Sequence, residues 1–149
     1  MKRISAILII WYSIAASAEM KIRVPELHYK SHDRIDVEIM NTGTSDVTFC
    51  VEYGYVSYID SDHPEPTPTP VYVQQKNSRG WGTLMTGPDI GSTRNPVTLG
   101  QGGSQHFPIR VNAHGTVRLV LDYRVGSTAN PCERSKWMKS VRSREFSIE

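Results

Sequence analysis

Along most of this chain apolar residues return at every second position, not at every third or fourth. From Asp33 to Met40, Ile35, Val37 and Ile39 alternate with Arg34, Asp36 and Glu38. Alternation of this kind places the two sets on opposite faces of a pleated backbone and predicts a half-buried strand. Asn41-Thr42-Gly43-Thr44-Ser45-Asp46 then supplies a turn. In the next strand Val47, Phe49, Val51, Tyr53 and Tyr55 share one parity, opposed by Thr48, Cys50 and Glu52. Phe107, Ile109 and Val111 form a third set. Val117, Leu119, Leu121, Tyr123 and Val125 form a fourth, against Arg118, Val120, Asp122 and Arg124. Short strands separated by Gly, Asn and Pro turns, with no helical period between them, predict an all-β chain folded as an antiparallel two-sheet sandwich.

Two stretches interrupt the alternation. Pro64, Pro66, Pro68 and Pro70 occupy every second position, which excludes a central strand and predicts a stiff loop or a protected sheet edge. From Asn77 to Asn95 the glycines Gly80, Gly82, Gly87 and Gly91 with Pro88 read as a long irregular loop.

The first residues follow a different rule. Met1-Lys2-Arg3 is basic, Ile4 to Ala15 is apolar apart from Ser5 and Ser13, and Ala16-Ser17-Ala18 offers small residues where a signal peptidase requires them. Glu19 and Lys21 end the apolar run before it reaches the roughly 20 residues that a membrane span needs. Residues 1–18 are therefore expected to be a cleaved signal peptide. Residues 19–149 are expected to be a single domain, not membrane-spanning, and periplasmic or secreted.

The runs Arg34–Ile39, Asn41-Thr42-Gly43 and Val47–Val51 resemble the central hairpin of bacterial exported immunoglobulin-like domains. Leu99 to Phe107 and Gly115 to Tyr123 resemble the later strands of the same class. The resemblance implies an immunoglobulin-like β-sandwich. It brings no function with it, because that fold hosts many. Trp81 and Tyr123 do not stand at the antibody-type distances from Cys50 and Cys132, so neither the buried tryptophan nor the tyrosine corner carries over.

Charge narrows the set of partners. The chain of 149 residues carries 17 basic and 15 acidic side chains. Lys2 and Arg3 leave with the signal peptide, which brings the remainder to neutrality. A neutral chain has no excess with which to neutralise phosphates, so nucleic acid is not an expected partner.

Two cysteines in an exported chain predict one disulfide, Cys50–Cys132. Cys50 has the parity opposite to Val47, Phe49 and Val51. The bridge should therefore staple the 126–137 loop to the outside of a sheet.

Catalytic patterns are not found. There is no H-E-x-x-H, G-x-S-x-G, S-x-x-K or phosphate-cradling G-x-x-x-x-G-K, and no cofactor is expected. Asp60, Asp62 and His63 are the nearest approach to a metal-ligand set, and they read as a solvated turn. Surface recognition is the remaining possibility. Tyr58, Tyr72 and Trp81 are aromatics outside the core parity, and Arg142 and Arg144 end a basic run that also holds Arg134, Lys136 and Lys139. These five, Tyr58, Tyr72, Trp81, Arg142 and Arg144, are the candidate partner-binding residues. The expected function is a non-enzymatic module that binds another extracytoplasmic protein. The second reading is an inhibitor or immunity-type protein that blocks a protease or a cell-wall lytic enzyme.

One local irregularity carries a structural expectation. Val141, Phe146 and Ile148 should all face inward, yet Val141 and Phe146 differ in parity. One extra residue near Ser143-Arg144, a β-bulge, reconciles them. It should leave both residues in solvent and set Arg142 and Arg144 side by side.

Overall fold

The computed structural model describes residues 19–55, 66–84, 93–126, 131–133 and 138–149. The described residues form strands and turns, with no helix among them. Three strands, β1 (Met20–Arg23), β3 (Arg34–Asn41) and β9 (Ser104–Arg110), make one sheet in the order β1-β3-β9. The second sheet is built around β10 (Gly115–Val125), the longest strand. On one side β10 pairs with β11 (Lys139–Arg142) and β12 (Phe146–Ile148). On the other side it pairs with β4 (Val47–Tyr55) and β6 (Tyr72–Asn77). β2 (His28–Tyr29) runs parallel to β12, β5 (Pro66–Thr69) and β8 (Thr93–Leu99) flank β4, and β7 (Gly80–Leu84) pairs with β6.

The alternating sets become the two inner faces of the sandwich. Ile35, Val37 and Ile39 from one sheet, with Val47, Phe49, Val51, Val117, Leu119 and Leu121 from the other, are almost wholly withdrawn from water. Phe49 and Phe107 meet edge to face across the layers, 6.0 Å between centroids. Fully burying one such aliphatic or aromatic side chain contributes about 1.5–3 kcal/mol, so this interdigitated layer is the main source of stability. Val125 departs from its parity set. It lies 42% exposed, at the very end of β10.

The proline repeat is a strand in part. In β5, Pro68 stands opposite Tyr53 and Thr69 opposite Glu52. Alternate residues of an antiparallel ladder donate to a given neighbour, so Thr67 and Thr69 can carry the bonding while Pro66 and Pro68 fall between. A period-two proline run thus fits a strand that pairs on one side only.

The stretch expected to be one irregular loop holds a hairpin. β6 and β7 are joined through Ser78-Arg79, with Asn77 opposite Gly80 and Lys76 opposite Trp81. The Asn77 side-chain oxygen accepts the Arg79 N–H at 2.8 Å, and Gly80 takes φ +115, a value that side-chain-bearing residues avoid. Gly80 and Gly82, which read as loop punctuation, lie within β7, while Gly87, Pro88 and Gly91 lie outside the described residues.

The bulge is present. In β11 the register pairs Val120 with Arg142 and Leu121 with Val141, whereas in β12 it pairs Val117 with Phe146. Two residues of β10, Arg118 and Leu119, thus face three, Ser143 to Glu145. Ser143 is buried at 7%, contrary to the expectation that it would stay in solvent. Its N–H donates to the Leu119 carbonyl at 2.9 Å, and its Oγ accepts the Leu119 N–H at 2.9 Å. Arg144 does not line up beside Arg142 as a free charge. Its guanidinium donates to the carbonyls of Val24 at 2.6 Å and Pro25 at 2.9 Å, where the chain leaves one sheet for the other.

Asn41 ties the two turns at one end of the sandwich. It is 1% exposed, and its side-chain amide donates to the carbonyls of Ser45 (2.8 Å), Leu99 (3.0 Å) and Gly100 (3.0 Å). Its Oδ1 accepts the Gly43 N–H at 3.1 Å.

Cys50 and Cys132 are bonded, with Cα atoms 4.9 Å apart. Cys50 stands opposite Pro96 on β8 and is half-buried, outside the apolar core.

Candidate protein-binding face

The side chains of β10 that point away from the core are Thr116, Arg118, Val120, Asp122 and Arg124, since their neighbours Val117, Leu119, Leu121 and Tyr123 are the core set. Their cross-strand partners share that outer face. Tyr72 and Arg142 flank Val120 from β6 and β11, Gln74 flanks Arg118, and Ser140 flanks Asp122. The next strand out adds Trp81 beside Lys76 and Thr83 beside Gln74. Ladder spacing of about 4.8 Å makes this a continuous surface carried by four hydrogen-bonded strands, not by loops.

Trp81 is the focus of this face. The Arg118 guanidinium lies over its ring, 4.0 Å from the centroid, and the Lys76 ammonium stands 5.7 Å away. The negative face of the indole attracts both cations. Gln74 orients Arg118 by accepting its Nε–H at 2.8 Å. Lys76 also reaches Glu145 at 3.6 Å, in an exposed pair of small energetic weight.

The second row is Tyr72–Val120–Arg142. Val120 is 1% exposed although it is outside the apolar core, so the outer face buries an aliphatic side chain of its own. Tyr72 is half-buried in this row. Burial raises its phenol pKa above the ordinary 10.0; Asp122 adds to the rise, while Arg142 and Arg118 oppose it. Asp122 accepts the Ser140 hydroxyl at 2.5 Å.

Of the expected partner-binding residues, the fold brings Tyr72, Trp81 and Arg142 onto one face. Arg144 is engaged with Val24 and Pro25. Tyr58 lies outside the described residues, as do Asp60, Asp62, His63, Arg134 and Lys136. The alternation reading missed Arg118, Lys76 and Val120. Parity alone gives Arg118 only a polar face, and the register with β6 and β7 is what sets it against Trp81.

Two other polar pairs occur among the described residues. His106 Nδ1 is 3.0 Å from Asp36, on the exposed face of the three-stranded sheet. His28 Nδ1 and Ser147 Oγ are 2.6 Å apart across the parallel ladder, and Ser147 also donates to the Leu27 carbonyl at 3.3 Å. No carboxylate orients His28 among the described residues, so this pair lacks the third member of a triad. No group of three potential metal ligands occurs among the described residues.

No protein-family model matches the chain, and no curated protein matches its sequence. Solved structures similar to it include the sporulation control protein Spo0M from Bacillus subtilis, at 14% identity and a TM-score of 0.39. That likeness covers 91% of this chain, which spans 50% of the Spo0M chain. A PapD-like (ASH) domain of human CEP192 is similar at 15% identity and a TM-score of 0.37, over 100% of this chain and 96% of that one. At these values the likenesses assign neither activity nor partner.

Proposed function

We propose that this chain is an exported, non-enzymatic β-sandwich module that binds another extracytoplasmic protein through the outer face of β6, β7, β10 and β11. The observation that carries this reading is the arrangement of Trp81 and Tyr72 among Arg118 and Arg142 on one rigid sheet face. Tryptophan, tyrosine and arginine are the residue types that dominate binding hot spots. Here they sit on paired strands, so little conformational entropy remains to be lost on association. The Cys50–Cys132 bond is compatible with an oxidising compartment and supports export.

The test is affinity capture from the native envelope or secreted fraction with residues 19–149 as bait. The bait retains a defined partner, and Trp81→Ala with Arg118→Ser loses it while the circular dichroism spectrum is unchanged. Truncating a central hot-spot residue weakens binding by about 2 kcal/mol or more, roughly thirtyfold. Capture that is indifferent to both substitutions contradicts the reading. If the captured protein is a hydrolase whose activity falls on binding, the module acts as an inhibitor.

A further inference from the structure

β7 closes a hairpin with β6 and pairs with no other strand among the described residues. Asn77 and Gly80 close the two-residue turn, so they form a hydrogen-bonded pair, and bonded pairs alternate along an antiparallel ladder. The bonded pairs are therefore Asn77/Gly80, Gln75/Gly82 and Val73/Leu84. Trp81 and Thr83 occupy the positions between, and their N–H and C=O groups point away from β6. Among the described residues β7 has no other strand neighbour.

Natural sheets guard such edges with proline, inward charges or bulges. β8, which also pairs on one side only, carries Pro96 and Arg94. β7 reads Gly-Trp-Gly-Thr-Leu and has none of these devices.

We propose that the open edge of β7 takes an extended, acidic segment of the partner protein by strand addition, which specifies how the face described under Proposed function is used and rests on that reading. An added strand turns alternate side chains onto the outer face, next to Trp81 and Thr83. Arg118 and Lys76 stand over Trp81, with the exposed Arg79 in the turn just before it and Arg142 one row further along β10. The cations Arg118, Lys76, Arg142 and, in the turn, Arg79 outnumber the carboxylates of this face, Glu145 and Asp122. The unbalanced charge is therefore positive, and complementarity selects glutamate or aspartate at the outward positions of the incoming strand. Main-chain bonds to Trp81 and Thr83 supply affinity, and the cations supply preference.

The experiment uses the 15N-labelled chain of residues 19–149 and a capped peptide, Thr-Glu-Val-Glu-Val-Glu-Thr, with its lysine counterpart as control. The acidic peptide binds saturably, slows amide exchange at Trp81 and Thr83 by about tenfold or more, and weakens as salt is raised. The lysine peptide does neither. Thr83→Pro removes one outward N–H that bonds to no strand among the described residues, a position where edge strands tolerate proline. It abolishes binding of the acidic peptide while leaving Trp81 and Arg118 in place.

Absence of acidic-peptide binding overturns the inference, as does binding without protection at Trp81 and Thr83. Protection in the wild-type chain is decisive by itself if Thr83→Pro fails to fold. Capture of the native partner that survives Thr83→Pro but not Arg118→Ser would leave the binding face standing and remove strand addition from it.

Discussion

Ser143 and Leu119 exchange two hydrogen bonds, of which one is an ordinary ladder bond and the other runs from the Leu119 N–H to the serine hydroxyl. The hydroxyl stands where a main-chain carbonyl would stand in an unbroken ladder. It then donates to the Arg144 carbonyl at 2.7 Å, so the extra residue of the bulge is bonded from within. This is what allows Val141, Phe146 and Ile148 to face the same core despite their parity.

Ser143→Ala leaves the buried Leu119 N–H without an acceptor. Chemical denaturation should show a loss of about 1–3 kcal/mol, the cost of one unsatisfied buried polar group. Arg144→Ala, which frees the part-buried carbonyl of Val24 and the exposed one of Pro25 but no buried N–H, should cost less. Equal effects would show that the serine hydroxyl has no special place in the bulge.

Asn41 gives a sharper chemical test. Its amide nitrogen faces three carbonyls, so Asn41→Asp replaces a donor with a negative charge among acceptors. Asn41→Ala should destabilise by about 1–3 kcal/mol and Asn41→Asp by more, measured in the same denaturant series. If the aspartate variant is the milder of the two, the donor role assigned to the amide is wrong.

The disulfide joins positions 82 residues apart in the chain. The chain-entropy model gives about 4–5 kcal/mol for closing such a loop. Cys50→Ser with Cys132→Ser should lower the unfolding free energy by that order, while the near-ultraviolet signal at low temperature stays native because the bridge is outside the core. A loss of native tertiary signal under all conditions would mean that the bridge is needed for packing itself.

Three tyrosines define the alkaline limit. Burial is the first cause of a raised phenol pKa at Tyr29, Tyr72 and Tyr123, each from an ordinary value of 10.0. The folded chain holds these protons after the unfolded chain has released them. Their contribution is therefore complete below pH 10 and lost as pH rises from there through the folded values. Tyrosinate absorbance should rise at higher pH in the folded chain than in urea, and stability should fall over that interval. Tyr72→Phe should reduce the fall; an unchanged alkaline profile would contradict the burial assigned to Tyr72.

The sequence reveals the inner faces better than the outer ones. Ile35 to Ile39, Val47 to Val51 and Val117 to Tyr123 repeat with period two because one face of each strand must leave water, and that demand is written at every second position. The disparity between Val141 and Phe146 even marks the bulge. β6 and β7 escape the same reading. Only Val73 is buried within them, and Gly80 and Gly82 resemble loop residues until the hairpin register is known. Val120 is assigned by parity to solvent, yet it is buried on the outer face in the row of Tyr72 and Arg142. Asn41 reads as a turn residue because its three acceptors come partly from a segment some 60 positions away, at Leu99 and Gly100. Contacts made across strands that are distant in sequence leave no local period.

The proposed binding face is tested most directly by placing a photo-crosslinking aromatic at single positions and exposing the chain to the envelope or secreted fraction named in the proposal. One position is Tyr72, on the proposed face; the other is Arg34, exposed on the outer face of the three-stranded sheet. The account predicts one covalent adduct of defined mass from position 72 and none from position 34. An adduct from position 34 with none from position 72 would contradict it.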